Sequence, residues 1–119
     1  MLATLRMEAH QADTPVACIS GEIDASNAAA FASQLKDVVP NSAIGLILDL
    51  TQCTYLDSSG VHLIFDVAEA LRRRQQVLQL VVPSDSFVGD VLGVVNVSGV
   101  ARTAATLQEA LADVSRAEF

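Results

Sequence analysis

The sequence predicts one α/β domain, built on a mixed, mostly parallel β-sheet with helices packed against it. Three observations carry the prediction. The run "IGLILDL" at 44–50 is short and continuously apolar, as suits a strand covered on both faces, and "VLQLVVP" at 77–83 reads as another buried strand. Segments with apolar residues at helical spacing alternate with them, and strand–helix alternation favours parallel pairing through right-handed crossovers. The 119 residues hold no repeat, linker or low-complexity tract, so a single domain over 1–119, with its core at about 4–115, is the economical organisation.

Each element has its own justification. "LATLRMEA" alternates loosely and suits a first strand; "HQADTP" is turn-forming; "VACISGEI" suits a second strand, completing an N-terminal hairpin. That hairpin makes the sheet mixed. In "DASNAAAFASQLKDVV" the period changes: Ala28, Phe31, Leu35 and Val38 form a helical stripe, with Asp24 or Ser26 as candidate cap and "PNSA" as the stop. "IGLILDL" is a central strand. A helix with Val61, Ile64, Ala68 and Leu71 on one side follows, and "VLQLVVP" is the next buried strand, ended by Pro83. "DSFVGDVLGVV" reads as a helix despite two glycines, and "GVARTAA" holds a short edge strand. The last helix is "TLQEALADVSRA", where Thr106 and Glu109 have capping-box spacing.

Composition narrows the function. The chain is 51% apolar with a formal net charge of -7. Phosphate backbones and anionic membrane surfaces attract clustered Lys and Arg, so both partners are disfavoured. The one basic cluster, Arg72-Arg73-Arg74, reads as a solvated helix end complementing the helix dipole. Cys18 and Cys53 sit in apolar strand-like runs and show no ligand spacing with His10 or His62. Buried reduced thiols follow, with no metal and no cofactor. "MLATLRMEAHQAD" lacks the apolar core of a signal peptide, and no apolar run approaches 18 residues. The expectation is a soluble cytoplasmic protein.

The stretch with most chemical interest is "YLDSSGVHLI" at 55–64. It places Asp57, Ser58, Ser59 and Gly60 between a strand and a helix, at the edge where α/β sheets commonly carry function. A nucleophilic serine would need flanking glycines, a base and an acid, and His62 follows too closely to serve as that base. A phosphate-cradling loop would need several glycines and a lysine. Two readings survive: Asp57 as a plain N-cap, and a serine that is itself phosphorylated. Local chemistry alone leaves both open.

The order of segments adds to this. "ISGEIDASNAAAF", "LILDLTQCTYLDSSGVHLI", "VLQLVVPS" and "VGDVLGVVNVSGVARTAATLQEAL" together resemble the STAS domain, named for sulfate transporters and anti-sigma factor antagonists. The resemblance runs from about residue 4 to 115. It implies an anti-sigma factor antagonist: the unphosphorylated form binds an anti-sigma factor, which then releases its sigma factor. The anti-sigma factor is often a serine kinase using ATP, and a serine phosphatase reverses its action. The matching phosphorylation site is Ser58. Ser59 holds the adjacent hydroxyl position, Asp57 precedes it, Asp24 matches an acidic position near the phosphosite, and Asp49 matches a structural strand-ending acid. The implied partner-binding set is Asp24, Asp57, Ser58, Ser59, Gly60, Val61 and His62. The family often has Leu-Gly where Val61-His62 stands here. No catalytic role, no direct membrane insertion, and a monomer or weak dimer are expected. The alternative with the same fold is a soluble subunit of a phospholipid-type transport complex.

Overall fold

In the computed structural model, residues 3–8 and 14–115 are described. The elements run β1 (Thr4–Glu8), β2 (Val16–Ile23), α1 (Ala28–Val38), β3 (Gly45–Asp49), β4 (Cys53–Leu56), α2 (Ser58–Arg73), β5 (Val77–Val81), α3 (Phe87–Val94), a single 3-10 turn at Val97–Gly99, β6 (Arg102–Ala104) and α4 (Leu107–Ser115). The sheet has the order β1-β2-β3-β5-β6, with β4 also paired to β2. The β1–β2 pair is antiparallel and the remaining pairs are parallel, as expected of a mixed, mostly parallel sheet. His10 and most of the turn expected at 10–15 lie outside the described residues.

The two apolar-rich runs form the sheet centre. Every residue of β3 is buried, because β3 lies between β2 and β5 and is covered on both faces. On one face, Leu46, Leu48, Leu78 and Leu80 meet Ala32 and Leu35 of α1 and Leu63, Ile64, Val67 and Leu71 of α2. On the other, Val16, Ile47, Val81 and Ala104 pack with Ala110 of α4. Thr106 caps α4 as its spacing suggests: its hydroxyl accepts from the Glu109 N–H at 3.1 Å. The Glu109 carboxylate reaches back one residue further than the usual box, to the Ala105 N–H at 3.2 Å.

Strand β2 serves two partners along one edge. Val16–Cys18 pair with Ile47–Asp49 of β3, and Gly21–Ile23 pair with Cys53–Leu56 of β4. The register shifts after Gly21, whose φ of 92° lies where a side chain would be strained. Between β3 and β4 the chain turns, with the Asp49 carboxylate accepting the Thr51 N–H at 2.9 Å. Asp49 is only 7% exposed and has the structural part expected of it.

Several local expectations are corrected. Helix α1 begins at Ala28, and neither Asp24 nor Ser26 caps it; Asn27 stands at the N-cap with no side-chain cap bond. The polar side chains instead close the preceding turn. Asp24 accepts from the Ser26 N–H and hydroxyl, and Asn27 Oδ1 accepts from the Asp24 N–H at 3.0 Å. Val38 is exposed, and Val39, just beyond the helix, takes the buried place. The basic cluster also divides. Arg72 and Arg73 are exposed and pair with Glu69, an arrangement that contributes little. Arg74 turns inward, donating to the Lys36 and Val39 carbonyls and to Asn41 Oδ1.

Both cysteines are free and buried, Cys18 4% and Cys53 6% exposed. Burial pushes both thiols above their ordinary pKa, and the charge of Asp49 adds to this at Cys18. The thiolate is the reactive form, so a thiol-reactive chromogenic disulfide at about pH 8 is expected to label neither cysteine quickly. Both should react at once in denaturant. Fast native labelling of either would place it at the surface.

Candidate functional site

Strand β4 ends at the buried Leu56, and Asp57 follows with extended backbone, φ −105° and ψ −164°. This non-helical residue is the N-cap of α2. One of its carboxylate oxygens accepts from the Ser59 N–H at 2.8 Å and the Gly60 N–H at 3.3 Å. Ser58 is the first helical residue and is exposed. Among the described residues its hydroxyl has no hydrogen-bond partner.

Gly60 is buried under the turn. A Cβ there would stand 2.7 Å from Leu56 Cβ and 3.3 Å from Ile23 Cγ2. The glycine therefore lets the first turn of α2 sit directly on the ends of β2 and β4. Ser59 and Val61 are half-buried, and Val61 packs against the main core. His62 is exposed. Of the expected partner-binding set, Ser58 and His62 are presented to solvent, while Gly60 supports the turn from beneath.

Asp24 arrives from the neighbouring strand. Ile23 and Leu56 are register partners in parallel strands, and the Asp57 N–H donates to the Ile23 carbonyl at 3.3 Å. Asp24 and Asp57 thus leave adjacent strands side by side. The Ser26 hydroxyl, and then its backbone N–H, hold the Asp24 carboxyl below its ordinary pKa. Its charge is committed to its own turn.

Ser58, Ser59 and His62 line a groove of about 580 Å³ between α1 and α2. Ala28, Ala32 and Lys36 form the opposite wall. Lys36 Nζ lies 3.0 Å from Asp66 Oδ2, bridging the two helices. This wall was missed in the sequence, since small residues on a helix give no sign of what they face. A second unforeseen feature lies on the strand that leads to the site. Tyr55, three residues before Ser58, stacks on Phe87 of α3 with ring centroids 5.5 Å apart and 12° between planes. Tyr55 and Phe87 are 40% and 51% exposed.

Chemically, the arrangement offers an accessible hydroxyl and, among the described residues, no base hydrogen-bonded to it. The N-terminus of α2 carries roughly half a positive charge, so an anion on Ser58 is tolerated by its own helix.

The family model of the STAS domain matches residues 6–112. Over 89 residues the chain is 32% identical to the anti-sigma-B factor antagonist of Listeria monocytogenes, an alignment covering 68% of this chain and 78% of that protein. The fold superimposes on an anti-sigma factor antagonist from Mycobacterium paratuberculosis with a TM-score of 0.83, at 24% identity and covering 96% of this chain and 95% of that one. It matches the Bacillus protein SpoIIAA, at 18% identity in its unphosphorylated form (95% of this chain, 98% of that one) and 20% in its phosphorylated form (93% and 99%), with a TM-score of 0.71 in each case. The chain belongs to the STAS domain family, among its anti-sigma factor antagonists.

Proposed function

We propose that the protein binds an anti-sigma factor through the surface around Ser58, so freeing a sigma factor, and that phosphorylation of Ser58 switches the binding off. The observation that carries this is the Ser58 hydroxyl, exposed and unengaged among the described residues at the first turn of α2. The anti-sigma factor acts as the kinase: Ser58 Oγ attacks the γ-phosphorus of ATP, the bond to the β-phosphate oxygen breaks, and ADP leaves. The hydroxyl proton passes to a base of the kinase. A phosphatase later hydrolyses the ester with water. The protein itself acts by binding and supplies no catalytic group.

The switch in this reading changes charge and leaves shape alone. One feature supports that division: the helix dipole at Ser58 favours an anion there. The interface takes in Ser58, Ser59, Val61 and His62, with Asp24 and Asp57 beneath. The cytoplasm is the proposed setting. Among the described residues no helix is long and apolar enough to cross a membrane.

Incubation with the candidate kinase and ATP tests the reading. Mass spectrometry should find one phosphoryl group, on Ser58, and none on Ser58→Ala. Modification of Ser59 instead, or of neither, would overturn it.

A further inference from the structure

His62 follows Ser58 by one helical turn, so the two side chains share a face of α2. Both line the groove between α1 and α2. Among the described residues neither the imidazole nor the Ser58 hydroxyl has a hydrogen-bond or ion-pair partner. Lys36, on the facing wall, is already held by Asp66 at 3.0 Å. Of the basic groups lining the groove, His62 is therefore the uncommitted one.

Resting on the reading of Ser58 as a phosphorylation site, we propose that His62 is the built-in counter-ion of phosphorylated Ser58. The second ionisation of a phosphoserine falls near pH 6 and that of an imidazole near 6.5, so each favours the charged form of the other over the same range. At about 6 Å, the spacing of residues four apart on a helix, a charge of roughly -1.5 to -2 in water-like dielectric raises the histidine midpoint by about one pH unit. The surrounding carboxylates are spoken for: Asp66 by Lys36, Asp57 by the Ser59 and Gly60 N–H groups, Asp24 by Ser26, and Glu69 by Arg72 and Arg73. They are present with and without the phosphate, so the difference between the two states reads the phosphate alone. The consequence is that, while protonated, the His62 imidazole offsets part of the phosphate charge that a docking protein meets.

The test uses the full chain with phosphoserine installed at position 58 during translation, so no kinase is needed. Histidine ring resonances are followed by NMR from about pH 5 to 8.5, with His10→Gln separating the two histidines. The His62 midpoint should lie about one pH unit higher in the phosphoprotein than in the unmodified protein. The phosphorus resonance should titrate at lower pH in the phosphoprotein than in its His62→Gln variant. Equal His62 midpoints in the two proteins, or a phosphate titration indifferent to His62→Gln, would overturn the proposal. Neither readout involves a partner, so a failure of the kinase to modify Ser58 would count against the proposed function and leave this pairing standing.

Discussion

Phosphorylated Ser58 is expected to weaken the complex with the anti-sigma factor by about one to four orders of magnitude, while Ser58→Ala leaves it intact. A phosphoserine brings roughly -1.5 to -2 charges near neutral pH. Against a partner carboxylate about 5 Å away, the repulsion is ~1.5 kcal/mol in water-like dielectric and ~6 kcal/mol at an effective value near 20. Each ~1.4 kcal/mol is a factor of ten in affinity. Burying the phosphate in a drying interface acts in the same direction. Ser58→Ala removes a hydroxyl that has no partner among the described residues, so it should bind normally and resist the kinase. Ser58→Asp carries about half the charge and should fall between the two. Calorimetric titration of the four forms against one anti-sigma factor decides the matter. A phosphoprotein that bound as tightly as the unmodified chain would remove the electrostatic basis of the switch.

Replacing Gly60 with valine is expected to destabilise the fold by about 1–3 kcal/mol, the usual cost of forcing extra methyl groups into a packed site. The first added carbon would already stand 2.7 Å from Leu56 Cβ. That atom is fixed to the backbone of β4 and cannot swing aside. The helix-propensity gain of losing a glycine, well under 1 kcal/mol for valine, is too small to compensate. Gly93 supplies the control. It also lies in a helix, yet a Cβ there meets nothing within 4 Å. Gly93→Ala should therefore stabilise by up to about 1 kcal/mol. Urea unfolding of both variants reads the signs. If Gly60→Val were neutral, the turn would have to be looser than its contacts indicate.

The elements that were legible in the sequence are those whose pattern is long or chemically marked. β3 announced itself as a continuous apolar run, β5 as one interrupted only by Gln79, and α2 by its stripe through Ile64, Ala68 and Leu71. The Thr106–Glu109 spacing located the start of α4, and Asp57 that of α2. β4 was not distinguished as a strand of its own. It has four residues with buried ends and an exposed middle, a pattern with neither strand nor helix period. The start of α1 was misplaced because Asp24 and Ser26, good caps by type, hydrogen-bond to each other. The site's motif could be read from local order, but its facing wall could not. The Lys36–Asp66 bridge spans 30 positions and the Tyr55–Phe87 stack 32, and nothing local encodes either.

Arg74 sits at the opposite end of α2 from Ser58, clamped to the carbonyls where α1 finishes. The two helices are thus pinned together at their far ends, like the arms of a peg joined at the spring. With 16 residues, α2 is about 24 Å long, so this clamp and the Ser58 turn lie far apart on one rigid element. The two ends of α2 are accordingly fixed by different parts of the chain: Gly60 seats the Ser58 end on β2 and β4, while Arg74 ties the far end to the close of α1.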